Sequence, residues 1–329
     1  MFLMQSVVNS VLRIKGDRSL NIVTLSYNDE KYIESLCSIG HNFYLWKPNG
    51  FSDWNQAIAP IPSNLSILTE QDVVSPTHFD LIICHDRLDQ LEHAEKISEA
   101  FHLPVIVVDH CHRDTLRPHP AMGNIQINDA LQLTDRPSIS MRVSSSNEVQ
   151  ESWNDSCIGS VVRPGIDTER FSPPARQRGY EERVVTFDNN LPEHMARGIL
   201  SDINRYHIIP VDSNDKSSRT DPYHRGDLFV NTYKNVTIKL LEAMSCECIP
   251  ICFDFPDLRE LISNGENGII IDSPEKIHAA IDSLYESPEH MRAMGASARS
   301  TVIESHGIEN FAKGWGKVLD FIRPQFYNR

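Results

Sequence analysis

Residues 237–253 restrict the fold more than any other stretch, because Thr237-Ile238-Lys239-Leu240-Leu241-Glu242-Ala243-Met244-Ser245 runs within three residues into Ile249-Pro250-Ile251-Cys252-Phe253. A short apolar helix feeding at once into an apolar strand is the connection of a sheet covered on both faces. One carboxylate, Glu242, stands among Leu240, Leu241, Ala243 and Met244. A charge is rare in such surroundings unless something pairs with it, so Glu242 is expected to face outward and meet a ligand.

The same alternation continues along the chain and predicts parallel sheets with helices on both sides. In the first half, strands are expected at 21–26, 41–46, 80–85, 104–110 and 139–144, and helices at 30–39, 90–101 and 147–153. Segment 47–76, with Pro48, Pro60, Pro62 and Pro76, reads as a long irregular insertion, and long ordered loops often carry function. After Pro164-Gly165, strands are expected at 183–187, 206–211, 227–231, 249–253 and 268–271. Helices are expected at 193–203, 237–245, 274–285, 288–305 and 308–322. A chain of 329 residues, 40% of them hydrophobic, is long enough for two domains with separate cores.

A formal net charge of −14 speaks against a surface built to coat nucleic acid. Seven cysteines, an odd number scattered through strand-like and helical runs, read as reduced, buried thiols. The start Met1-Phe2-Leu3-Met4-Gln5-Ser6-Val7-Val8 lacks a basic leader, and no segment has the ~20 apolar residues of a membrane span. A cytoplasmic location is therefore expected.

From Arg225-Gly226-Asp227-Leu228-Phe229-Val230 through Leu241-Glu242-Ala243-Met244 to Arg259-Glu260-Leu261-Ile262 and Gly265-Glu266-Asn267-Gly268, the chain resembles the donor-binding half of family 4 retaining glycosyltransferases. Upstream, Val162-Arg163-Pro164-Gly165-Ile166-Asp167-Thr168-Glu169-Arg170-Phe171-Ser172-Pro173 is similar to that family's interdomain hinge. The resemblance implies the GT-B fold, an α/β architecture of two doubly wound, Rossmann-like domains facing a central cleft. It divides the chain into an acceptor-side domain at 1–165, a nucleotide-sugar domain at 166–305, and a terminal helix at 306–329 that crosses back to the first.

The resemblance also assigns residues. Glu242 takes the place of the family's ribose-binding Glu, although a carboxylate there also complements a helix dipole. The family's sugar-contacting Glu falls on Lys234, a charge reversal that implies a different contact. Thr237 reads as an N-cap whose neighbours, Ile238 and Lys239, offer free amides to a diphosphate; Lys239 adds a cation or is simply solvated. Arg197 is the nearest substitute for the Arg that holds the leaving diphosphate, and a surface position suits it equally. Glu260 matches a family Glu after a diglycine loop, which Phe255-Pro256-Asp257 replaces here. In the first domain, Val107-Val108-Asp109-His110-Cys111-His112 closes an apolar strand. His110 matches a family His beside the anomeric carbon, with Asp109 as its orienter. This cluster would also suit zinc but lacks a second ligand pair at metal spacing, so no metal site is expected.

The implied reaction moves a sugar from a nucleotide diphosphate sugar, UDP-linked by family resemblance, to an acceptor hydroxyl with retention. No cofactor is needed beyond the donor as co-substrate, and no protein nucleophile is visible. Gly40-His41-Asn42-Phe43-Tyr44-Leu45-Trp46 and Asp53-Trp54-Asn55 are similar to short glycosyltransferase-like proteins of bacteriophage genomes. That likeness would make hydroxymethylated pyrimidines in phage DNA an acceptor, reached by base flipping in the host cytoplasm. Glycan, lipid and small-molecule acceptors stay open. So do a GT-B nucleotide-sugar-binding protein without catalysis, motivated by Lys234 and the missing glycines, and a nucleotide-sugar hydrolase or epimerase.

Overall fold

Strands covered on both faces are apolar along most of their length, and the core strands follow this up to their carboxyl ends. The computed structural model describes residues 19–25, 30–46, 54–69, 72, 75, 78–85, 88–113, 139–153, 157–175, 178, 180, 182–188, 206–211 and 220–323. The chain divides into one unit of Met1–Pro164 with Phe311–Arg329, and a second of Gly165–Asn310.

The first unit holds β1 (Asn21–Leu25), α1 (Glu30–Cys37), β2 (Asn42–Trp46), β3 (Leu65–Leu68) and β4 (Leu81–His85). These are followed by α2 (Leu88–Phe101), β5 (Val105–Asp109), β6 (Ile139–Ser144), α3 (Asn147–Trp153) and β7 (Gly159–Val161). The strands form one sheet in the order β3-β2-β1-β4-β5-β6-β7, with every pairing parallel. Every residue of β4 and β5 is buried. Val105 and Val107 join one core with Ile82 and Cys84, while Leu81, Ile83, Ile106 and Val108 are buried outside that cluster.

Four described elements were not expected from sequence. β3 lies inside the supposedly irregular segment 47–76, pairs only with β2, and reads buried, exposed, exposed, buried along its length. An edge strand with Ser66 inside a four-residue run gives no periodic signal. β7 has three residues and closes the opposite edge. Two short helices, described below, are likewise too brief to show a period.

The second unit runs β8 (Val184–Asp188), β9 (His207–Val211), α4 (Asp221–Arg225), β10 (Leu228–Asn231), α5 (Ile238–Ser245), β11 (Ile249–Phe253), α6 (Pro256–Arg259) and β12 (Ile269–Ile271). Then come a 3-10 turn (Pro274–Lys276), α7 (Ile277–Tyr285), α8 (Pro288–His306) and α9 (Ile308–Ile322). Its parallel sheet has the order β12-β11-β10-β8-β9. Consecutive residues of β10 enter different cores. Phe229 packs with Leu240, Leu241 and Met244 of α5, whereas Leu228 and Val230 pack with Ile277, Ile281 and Met291. The expected helix at 193–203 lies outside the described residues.

Both sheets start with the same device. Asp80, just before β4, accepts from Asn21 N at 2.8 Å. Asp227, just before β10, accepts from Val184 N at 3.0 Å and from the Tyr285 hydroxyl at 2.9 Å. Each carboxylate satisfies the first amide of a neighbouring strand. From Phe311 onward α9 belongs to the first unit: the Phe311 ring stands edge-on to Tyr32 at 5.5 Å, and Trp315, Leu319 and Ile322 are buried.

Helix α8 crosses the α5–β11 turn so closely that a Cβ at Gly295 would lie 2.7 Å from the Glu247 carbonyl oxygen. Gly316 in α9 has open space around it. Gly295→Ala is therefore expected to destabilise by ~1–3 kcal/mol through overpacking, despite alanine's better helix propensity. Gly316→Ala is expected to stabilise by ~0.5–1 kcal/mol. Urea unfolding of both variants would check the pair; equal effects would show that packing at Gly295 does not set the α8 position.

Candidate functional site

An open parallel sheet binds ligands where consecutive connections leave in opposite directions, at the carboxyl ends of its strands. In the second unit the chain passes from β8 out to β9 and returns to place β10 on the other side of β8. The switch point thus lies between β8 and β10, where Asn231 ends β10 and is buried. Its side-chain amide donates to Tyr233 O at 3.0 Å. Val236 N donates to buried Asp257 at 2.7 Å. The loop from β10 to α5 is therefore held at both ends.

Thr237 caps α5 in an extended conformation, its hydroxyl accepting from Leu240 N at 3.1 Å. Ile238 and Lys239 form the start of the helix, both half-buried, and no acidic residue lies in the first turn. The other end of α5 is neutralised by two guanidinium groups. Arg299 donates to Ser245 O at 2.6 Å and Arg178 to Cys246 O at 2.8 Å. Cations at a helix C-terminus complement its dipole. Thr237, Ile238 and Lys239 are thus brought together at the positive end of a helix whose negative end is already satisfied.

Glu242 does not face outward. It is 2% exposed, and its Oε2 accepts from the Tyr223 hydroxyl of α4 at 2.8 Å. Burial, reinforced by the neighbouring carboxylate, pushes the Tyr223 phenol well above its ordinary value, so it remains a donor. Sequence placed Glu242 outward because its partner, nineteen residues upstream, carries no local signal. Arg178 braces the same corner, donating to Tyr223 O at 2.7 Å. Arg299 also donates to Phe171 O at 3.1 Å, tying the segment after residue 165 to α5.

The remaining expected donor residues are more dispersed. Lys234 is exposed in the β10–α5 loop, its ammonium 5.7 Å from the Phe255 ring centroid. Glu260 is exposed at the end of α6. That short helix, opened by Pro256, occupies the place of the expected diglycine. Arg197 lies outside the described residues.

In the first unit the strand order makes the switch point β1/β4, and β4 ends there in His85. His85 is fully buried, and its Nδ1 lies 2.6 Å from Nε2 of His110, which follows β5. The two rings meet edge to edge, their planes 9° from parallel, and Tyr32 of α1 stands edge-on to both. Asp109, expected to orient His110, instead forms a buried ion pair with Arg142 at 2.6 Å, and the Arg142 guanidinium covers the Trp153 ring at 4.3 Å. Successive strand residues point to opposite faces, so Asp109 shares a face with Arg142 of β6 and not with His110. His85 was missed although it closes its apolar strand much as His110 follows its own.

Among the described residues, no three His, Cys, Asp or Glu side chains gather as a metal site requires. No described helix is long and apolar enough to cross a membrane. All seven cysteines are free, with Cys111 and Cys157 half-buried and the others buried. Burial pushes the Cys248 thiol to about 11 and Cys252 to about 12.

Because Glu242 depends on the Tyr223 hydroxyl, Tyr223→Phe is expected to cost ~1.5–3 kcal/mol, the loss of a buried hydrogen bond to a charged group. Urea unfolding would measure it; an unchanged midpoint would show that other partners satisfy Glu242.

Residues 220–301 match the family described as glycosyl transferases group 1. No curated protein matches in sequence. Among solved structures, the chain is similar to Alr3699/HepE of Anabaena in complex with UDP-glucose, with a TM-score of 0.69 at 14% identity over 92% of this chain and 100% of that one. It is also similar to sucrose-phosphate synthase from Thermosynechococcus elongatus, with a TM-score of 0.69 at 11% identity over 94% and 100%. A glycosyltransferase from Rickettsia africae has a TM-score of 0.61 at 13% identity over 95% and 100%. Two parallel-sheet, Rossmann-like units matching GT-B structures give this chain the GT-B fold, and its residues 220–301 are similar to the glycosyl transferases group 1.

Proposed function

We propose that the protein transfers a sugar from a UDP-linked sugar to an acceptor hydroxyl, with retention at the anomeric carbon and without a resident metal. The observation that carries this reading is α5, whose N-terminus is capped by Thr237 and led in by a pinned loop, with buried Glu242 one turn inside. In this reading the first amides of α5, around Ile238 and Lys239, receive the diphosphate. A helix N-terminus carries roughly half a positive charge, and it is already aligned before the leaving group gains its negative charge. Such preorganised stabilisation costs no reorganisation during the reaction. Lys239 and Arg197 add positive charge.

Glu242 is assigned to the ribose hydroxyls. A carboxylate has about four acceptor positions, so the Tyr223 bond fixes its orientation and still allows a diol to bind. Lys234 is assigned to the transferred sugar and Glu260 to the same pocket. His110 of the first unit is placed beside the reacting carbon, and Asp109 supports its strand end through Arg142. UDP-glucose, bound in the Anabaena protein, is the first donor to try.

The test is a panel of nucleotide sugars with UDP release and transfer as readouts, run with and without EDTA. Acceptors should include hydroxymethylated-pyrimidine DNA, glycans, lipids and small alcohols, with product configuration read by NMR. Donor binding without release or transfer would instead identify a nucleotide-sugar-binding protein, and inversion would reject the retaining course.

Glu242→Gln keeps an acceptor for Tyr223 but removes the charge. It is expected to weaken UDP binding by ~1.5–3 kcal/mol, roughly tenfold to a hundredfold in Kd. Calorimetric titration would show this, and unchanged affinity would remove Glu242 from the site.

An ammonium only donates hydrogen bonds, whereas a carboxylate only accepts them. Lys234→Glu is therefore expected to change the ratio of products formed from competing nucleotide sugars. If all rates moved together at fixed ratio, Lys234 would lie outside the sugar pocket.

A further inference from the structure

His110 does not stand alone after β5, because the geometry ties its ring to that of His85. His85 Nδ1 and His110 Nε2 are 2.6 Å apart, which requires one N–H between them. A ring nitrogen bears either a proton or a lone pair, so two fully protonated rings would set N–H against N–H across that distance. The rings meet edge to edge, with centroids 4.9 Å apart, so two positive charges would also repel at short range. The pair therefore carries at most one charge.

The surroundings hold the rings in place. Tyr32 of α1 packs edge-on against both, at 5.5 Å from His85 and 4.6 Å from His110, and Phe311 of α9 stands behind Tyr32. Ser145 after β6 donates to the His110 carbonyl at 3.3 Å. His85 N donates to Gln90 of α2 at 2.9 Å. On the flanking strands, Asp109 and Arg142 are paired with each other at 2.6 Å.

We infer that His85 and His110 form one proton-sharing pair, in which His85 is a positioning residue that fixes the ring and tautomer of His110. With its Nε2 engaged by His85, His110 works through Nδ1. If the shared proton sits on His110, Nδ1 is an acceptor; if it sits on His85, Nδ1 is a donor. When Nδ1 takes up a proton, the shared proton can pass to His85 and the total charge stays at one. The use of this pair in catalysis rests on the reading of His110 under Proposed function, whereas the pairing itself does not.

The experiment is long-range proton–nitrogen NMR of the full chain labelled at histidine, for wild type, His85→Phe and His85→Asn. In the wild type, His110 is expected in a single neutral tautomer. In His85→Phe, His110 should show mixed tautomers. In His85→Asn, whose amide sits near the position of Nδ1, one tautomer should return. A tautomer of His110 unchanged in His85→Phe would overturn the inference. Should that variant fail to fold, mixed tautomers of His110 in His85→Asn would overturn it equally.

Turnover distinguishes the two layers. With UDP-glucose, or whichever nucleotide sugar the donor panel turns over, kcat is expected to fall on the order of 100-fold in His85→Phe, the scale of a misplaced group. KM should hold, and His85→Asn should recover part of the loss. If the spectra change as expected while kcat does not, the pair stands and the placement of His110 beside the reacting carbon fails.

Discussion

Coverage of the central strands on both faces is the constraint on which the rest depends. β4, β5, β10 and β11 are buried along their whole lengths, so along these strands polar chemistry concentrates at the ends. The amino ends carry Asp80 and Asp227, each satisfying a neighbouring strand's first amide. The carboxyl ends carry His85, Asp109 followed by His110, and Asn231. The division is physical: carboxylates suit free amides at one edge, while the other edge leads into loops and helix N-termini.

Helix α5 is polarised along its axis. Arg299 and Arg178 supply cations to carbonyls at its C-terminal end, where they complement the dipole, and its first turn carries no acidic residue. Buried Glu242 would be costly inside this helix without Tyr223. The same hydrogen bond that offsets the cost holds the carboxylate in one orientation. The exposed pair of Arg259 and Asp254, by contrast, contributes little.

Much of the architecture was legible in the sequence because short apolar runs bounded by turn residues, and amphipathic helices, are local signals. The expected strands at 21–26, 80–85, 104–110 and 249–253 differ from the observed ones by a residue or so at each end, the usual fraying of assignments. Thr237 could be named as a cap because capping is a local property of residue type and spacing; its hydroxyl indeed accepts from Leu240 N. β3, β7, α4 and α6 were missed because three to five residues are too few to display a period.

What the sequence determined by itself was the α/β class, the alternation of elements, and a glycosyltransferase-like segment around Glu242 and Glu260. What only the tertiary structure decided was direction and partnership. Glu242 turns inward to Tyr223, Asp109 turns to Arg142, and His110 meets His85. None of these pairings is a nearest-neighbour event: the partners lie 19, 33 and 25 residues apart. Local periodicity tells which face of an element is apolar, but the partner of a buried polar atom depends on which strand comes to lie beside it, and that is set by the sheet order.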